Sequence, residues 1–188
     1  MKNSYVKLGG ILFLIGAISA GVLAWLNDST SDIIAKNEAM ASMKPEILEA
    51  VMPGSVMFNE YEDPALVETI KAENAKFVNL LTAVDASDNE LGSVIRTWST
   101  VPGYGGDMEL FIGVSPDGKV TGINVVSHSE TSGLGSRTTE PDFWKQFVGD
   151  DLSAEVTAFD AISGVTKSSN SFVSAVNNAV SIYSEYLK

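Results

Sequence analysis

Three glycine-bearing loops carry the side chains in this sequence best suited to chemistry: Gly103-Tyr104-Gly105-Gly106, His128-Ser129-Glu130-Thr131-Ser132-Gly133-Leu134-Gly135, and Asp160-Ala161-Ile162-Ser163-Gly164-Val165-Thr166-Lys167-Ser168-Ser169. Glycine tolerates positive φ and lets a backbone lie close to a ligand. The third loop leads into an apolar-periodic segment. Ser163, Thr166, Ser168 and several unbonded N–H groups therefore collect at a helix N-terminus, where the dipole favours an anion. Lys167 adds positive charge there. The chemistry described is a phosphate-sized anion site near Thr166. Serine and threonine are also ordinary N-caps, and capping would account for one or two of these hydroxyls without a ligand. Spacing alone leaves both readings open.

Other chemistry is thinly supplied. Gly113-Val-Ser-Pro-Asp-Gly118-Lys119 resembles the opening of a phosphate-binding loop, but Val120 stands at the Ser/Thr position and the segment joins two strands. Gly103-Tyr-Gly105-Gly106 lacks the third glycine of a dinucleotide fingerprint, since residue 108 is Met. The 188 residues include no cysteine and one histidine, His128. That excludes disulfides, cysteine-ligated clusters and a histidine-rich metal site. No nucleophile elbow is present, so a hydrolase is disfavoured. The formal charge of −12, from 24 acidic and 12 basic residues, disfavours nucleic acid as a partner. Any redox chemistry must rest on an organic cofactor.

The elements that must position these loops follow from periodicity. Lys44 to Met52 opens on a proline and stops at Pro53-Gly54, as a short helix does. Phe77 to Val84 and Leu91 to Trp98 are β-rich runs separated by a polar turn, a hairpin. Met108 to Val114 reads as a half-buried strand, and Pro116-Asp117-Gly118 turns it back into Val120 to Val126. Phe143, Trp144 and Phe147 stand at helical spacing and belong to a core. From about Ser169 to Leu187, Val173, Val176, Val180, Tyr183 and Leu187 recur every three or four residues along one buried helix face. Antiparallel strands with helices before and after them specify an α+β domain, a mostly antiparallel sheet flanked by helices.

The N-terminus is of another kind. Leu8 to Leu26 (LGGILFLIGAISAGVLAWL) contains no charge, and 19 helical residues just span a hydrocarbon core. Lys2 and Lys7 precede the run while Asp28 and Asp32 follow it, which keeps the N-terminus cytoplasmic and places the remainder outside. Tyr5 and Trp25 stand near its ends. The run is long for a signal peptide and no Ala-x-Ala site follows, so a retained single-pass anchor in the lipid bilayer is expected. Residues 1–26 hold two lysines and no acid, leaving −14 on the rest. The expected organisation is an anchor over 1–27, a linker and helical region over 28–75, and a globular domain over 76–188.

The segment from Asp160 to Ser168 resembles the flavinylation motif of the FMN-binding domain family. The G subunit of the Rnf electron-transport complex and the C subunit of the sodium-pumping NADH:quinone reductase belong to that family. Glu130 to Gly135 resembles its E-T-P-G-L-G segment, and Gly103 to Gly106 its glycine–tyrosine loop, in the same order. The single anchor and the short length look more like the Rnf member. The resemblance implies FMN held by a phosphoester to Thr166, placed there by a dedicated flavin transferase. Asp160, Ser163 and Gly164 belong to the segment that transferase recognises, with Val165, Lys167 and Ser168 beside the attachment point. Thr131, Gly133, Leu134 and Gly135 carry over as flavin contacts. Glu130 and Tyr104 are either contacts or structural hydrogen-bonding residues, and His128 at a strand end is structural or a neighbour of the flavin. Val165 replaces the usual Ala or Ser, and Ser132 the usual Pro. The implied function is a flavinylated electron carrier, without complete catalytic activity of its own, in the cytoplasmic membrane among the other membrane subunits of a redox-driven ion pump of the ferredoxin:NAD type. A stand-alone flavin domain and a non-redox anchored binding or assembly module are the alternatives. The apolar run from Leu8 to Leu26 offers Ser19 as its only hydroxyl, so ion translocation must belong to partners.

Overall fold

The computed structural model describes residues 2–41 and 44–188, with side chains described for 7–26 and 44–188. Positions 42 and 43 of the expected linker region lie outside the described residues, as do the side chains of Lys2, Tyr5, Asp28 and Asp32. Two units result, one ending at Ala41 and one occupying the rest of the chain.

The first unit is a single helix, α1 (Lys2–Ala41). Its Lys7–Leu26 stretch is long and apolar enough to cross a membrane, and none of it is buried in protein. The segment after residue 28, read as a linker continuing into or followed by a helix, continues α1 without a break.

In the second unit α2 (Pro45–Val51) precedes a sheet of β1 (Met57–Glu60), β2 (Phe77–Val84), β3 (Glu90–Trp98), β4 (Glu109–Val114) and β5 (Val120–Ser127). Each strand pairs antiparallel with the next in sequence, so the sheet is a meander. Between β1 and β2 lies α3 (Pro64–Glu73), started by Asp63, whose Oδ1 accepts from the N–H groups of Ala65 and Leu66. A short α4 (Pro141–Trp144) and a 3-10 turn precede α5 (Thr166–Ile182). Both expected hairpins form, Leu80 opposite Ile95 and Ile112 opposite Ile123.

Both faces of the sheet are covered. On one, Leu80, Ile95, Leu110 and Ile112 pack with α3, α4 and α5. On the other, Leu81, Val94 and Phe111 pack with Leu48, Val51 and Met52 from α2 and its C-terminal cap. Strand β4, expected to be half-buried, is therefore buried at all six residues, because α2 covers the face its alternation offers to solvent. Phe172 of α5 lies edge-on to Phe143 at 5.2 Å and stacks near Phe147 at 5.6 Å. Phe172 is fully buried, so Phe172→Ala is expected to cost about 3–5 kcal/mol, read as a lower urea midpoint. At the far end of α5 the Tyr186 hydroxyl donates to the Glu73 carboxylate, which pushes the phenol up to about 12.

A polar seam runs along one side of α5. Ser171 Oγ donates to Ser99 Oγ at 3.0 Å, and the Val101 N–H donates to Ser174 Oγ at 3.0 Å. Asn178 Nδ2 donates to Thr97 Oγ1 at 2.6 Å. This seam fixes the helix against the end of β3 and the loop that follows it.

Candidate functional site

Sheet register gathers the three glycine-bearing loops. Trp98 pairs with Glu109 and Glu109 with Ser127, so the β3–β4 loop and the chain leaving β5 emerge side by side. The seam on α5 brings the third loop to the same place. Tyr104, Glu130, Thr131, Leu134, Gly135, Gly164, Val165, Lys167 and Ser168 line one cleft of about 230 Å³. Pockets that enclose a drug-sized molecule run to roughly 300–1,000 Å³. This cleft suits a ring system with the rest of its molecule lying across the surface.

Glu130 joins the loops. It is 8% exposed. Its Oε1 accepts from the Gly105 N–H at 3.1 Å and its Oε2 from the Ser168 hydroxyl at 2.9 Å. Its own N–H donates to His128 Nδ1 at 3.1 Å, which gives His128 a role in the turn and leaves the imidazole proton on Nε2. Gly103 and Gly135 are spaces made for Glu130, since a Cβ on either would collide with its carboxylate. A Cβ on Gly105 would collide with the Ser129 carbonyl. These three glycines, read from sequence as room for a ligand, accommodate the protein itself. Gly164, at φ 78° with open space around it, is different: it turns the chain into α5.

The capping explanation of the hydroxyls is not what forms. Val165 occupies the N-cap, with no side-chain cap bond. Ser168 is committed to Glu130. Ser169 Oγ accepts from the Ile162 N–H and donates to the Val165 carbonyl. Thr166, the first helical residue, is exposed, and its hydroxyl has no hydrogen-bond partner among the described residues. The first N–H of α5 taken up by a carbonyl is that of Ser169, so those of Thr166, Lys167 and Ser168 are open. Lys167 Nζ lies 6.0 Å from the centre of the Tyr104 ring.

Not every residue singled out from sequence faces this cleft. Asp160 and Ser163 line a second cleft of about 300 Å³ with Arg137, Glu140, Asp142 and Gln146. Gly133 is exposed and lines neither cleft. Thr166 follows Val165 of the first cleft in sequence but is not itself in either lining. Gln146 is a site residue that sequence reasoning missed. Its Oε1 accepts from the Asp160 N–H at 2.7 Å, and its Nε2 donates to the Phe143 carbonyl at 2.8 Å, clamping the Asp160 segment to α4. No spacing signal marks it, because the clamp is between backbone groups that sequence does not bring together. Ser174, which holds Val101, had one: it follows Ser168 and Ser171 at steps of three.

Residues 103–181 match the family described as FMN-binding domain. The chain is 31% identical to the G subunit of the ion-translocating oxidoreductase complex of Methanosarcina acetivorans, over 90% of this chain and 89% of that one. It is also 31% identical to the G subunit of the Na(+)-translocating ferredoxin:NAD(+) oxidoreductase complex of Acetobacterium woodii, over 97% and 93%. In fold it is similar to the crystal structure of the C subunit of Na(+)-translocating NADH-quinone reductase from Parabacteroides distasonis, with a TM-score of 0.50 at 21% identity, covering 65% of this chain and 67% of that one. The match to the family spans the loop that opens with Gly103 through most of α5, the stretch that builds the cleft. The chain belongs to the family of G subunits of ion-translocating oxidoreductase complexes and carries that family's FMN-binding domain.

Proposed function

We propose that this protein is a membrane-anchored electron carrier whose FMN is joined through its phosphate to Thr166. One observation carries the reading: an exposed, unpartnered hydroxyl at the first position of α5, beside open N–H groups and next to an apolar-walled cleft. The residues present fit the group. The N–H groups of Thr166, Lys167 and Ser168 and the Lys167 ammonium would hold a phosphate. Leu134, Tyr104 and Val165 would offer apolar surface to a ring, and Glu130 keeps the walls in register.

In the attachment reaction a bond forms from Thr166 Oγ1 to phosphorus, a P–O bond of the flavin donor breaks, and the hydroxyl proton leaves. The net gain is one FMN less one water. A flavin transferase is the catalyst this requires, because among the described residues no acid or base bonds to the Thr166 side chain. Once attached, FMN supplies one- and two-electron chemistry. The protein's own part is orientation and electrostatics. Glu130 fixes Gly105 and α5 relative to one another, and Tyr104, 80% exposed, leaves the mouth open to an approaching partner.

The lysines before the apolar run of α1 and the acids after it support an orientation with the N-terminus in the cytoplasm and the domain outside. A phosphoester suits that location, since a dissociable flavin would be lost there. The named relatives are subunits of ion-translocating complexes. Membrane subunits are therefore the partners, and ion movement is theirs.

Intact mass of the membrane-purified protein, with flavin fluorescence after denaturing electrophoresis, tests the reading. The expected result is a gain of one FMN less one water. Unmodified mass from a host that contains the transferase would overturn it.

A further inference from the structure

Two carboxylates are buried in the second unit, and they are treated differently. Glu109, 2% exposed, is matched by Arg96, whose Nε lies 2.7 Å from its Oε1. Glu130 is the one acidic residue lining the first cleft and has no ion-pair partner: the four ion pairs among the described residues hold Lys71, Lys76, Arg96 and Lys119. Its oxygens are satisfied by neutral donors, the Gly105 N–H and the Ser168 hydroxyl. Such bonds meet the need of a buried carboxylate for donors but leave its charge uncancelled. The Ser168 bond also ties that charge to the first turn of α5, which begins at Thr166.

We propose that Glu130 is a positioning residue that also places an uncancelled negative charge in the cleft wall, where it lowers the reduction potential of the flavin; this rests on the carrier reading. A reductant that delivers two electrons to a bound flavin would place them on its ring system, with water supplying the protons that follow. Wherever fewer protons than electrons are taken up, the ring gains negative charge, and a fixed carboxylate beside it opposes that gain.

The test uses the full-length, flavin-loaded protein in detergent, titrated with a chemical reductant at fixed pH while flavin absorbance is followed. Glu130→Gln keeps shape and hydrogen-bonding capacity and removes the charge. At the wild-type midpoint its ratio of reduced to oxidised flavin is expected to rise on the order of tenfold, with covalent loading unchanged. Ser168→Ala removes one bond to Glu130 but keeps the charge, and its ratio is expected to stay within about twofold of wild type or to fall. A purely structural Glu130 would shift both variants in the same direction by similar factors, and that outcome overturns the proposal. So does a loaded Glu130→Gln protein with an unmoved ratio, or a folded one that takes no flavin. If Glu130→Gln does not accumulate, exposed Lys167 on the same wall decides: Lys167→Gln is expected to lower the ratio severalfold, and no change overturns the proposal. Wild-type protein without covalent flavin removes the carrier reading itself, a different failure from loaded wild type with unmoved variants.

Discussion

Thr166→Val protein should fold, reach the membrane and carry no covalent flavin, while Thr166→Ser should remain modified. Access decides between the hydroxyls around the start of α5. Ser168 is 2% exposed and donates to Glu130. Ser169 is fully buried and bonded on both sides. Ser163 is exposed but opens into the other cleft, with Asp160 and Arg137. Thr166 alone combines exposure, an unpartnered oxygen and the open N–H groups of a helix N-terminus. Its side chain contributes little to folding. An exposed substitution here should change stability by less than about 0.5 kcal/mol. Intact mass, peptide mapping and a thermal melt on one preparation check all three parts. Transfer of the modification to Ser163 in the valine variant would show that the attachment point is set by the segment and not by this hydroxyl.

Gly122→Val is expected to destabilise the fold by about 3 kcal/mol or more, at the upper end of what overpacking costs. Gly122 and Gly113 face each other across β4 and β5. A Cβ at Gly122 would collide with the Ala50 carbonyl, and one at Gly113 with the Val51 carbonyl. The obstacles are backbone atoms at the end of α2, so no rotamer change relieves the clash. The Thr121 hydroxyl, which donates to the Val51 carbonyl at 2.7 Å, holds α2 down at the same point. The paired glycines are the seat on which α2 rests. Lifting it exposes Leu48, Val51 and Phe111 together. Denaturant unfolding followed by tryptophan fluorescence measures the loss. Flavin attached at Thr166 should persist at temperatures where the variant is still folded, because α2 packs on the face of the sheet away from α5.

Much of this architecture is legible in the sequence, and the parts that are not have identifiable causes. The hairpins can be read because each strand pairs with its neighbour in sequence, and α5 because it is long enough for its buried face to repeat over several turns. Strand β4 reads as half-buried because its second cover, α2, lies far upstream and gives no local sign. Strand β1 is a four-residue edge with one fully buried position, too short to carry a period. By contrast α3 has signals, Asp63 before Pro64 with Val67 and Ile70 following, and could have been found. At the site, the resemblance of three motifs indicates that the loops belong together. It does not indicate that Asp160 and Ser163 open into a separate cleft, or that Gly103 and Gly135 serve Glu130. Those are facts of side-chain geometry, and a motif records only which residues are present.

The seam on α5 bears on how electrons would change hands. Successive turns of that helix are pinned to Ser99, Val101 and Thr97, and its first turn is pinned through Ser168 to Glu130. A flavin on Thr166 therefore has no arm of its own. Its freedom is that of one threonine side chain and the flavin's own ribityl chain, with no hinge beneath. A swinging shuttle is mechanically unavailable at this point of the fold. Any longer reach to a donor or an acceptor would have to come from whole bodies meeting, and docking and release would then set the pace of transfer.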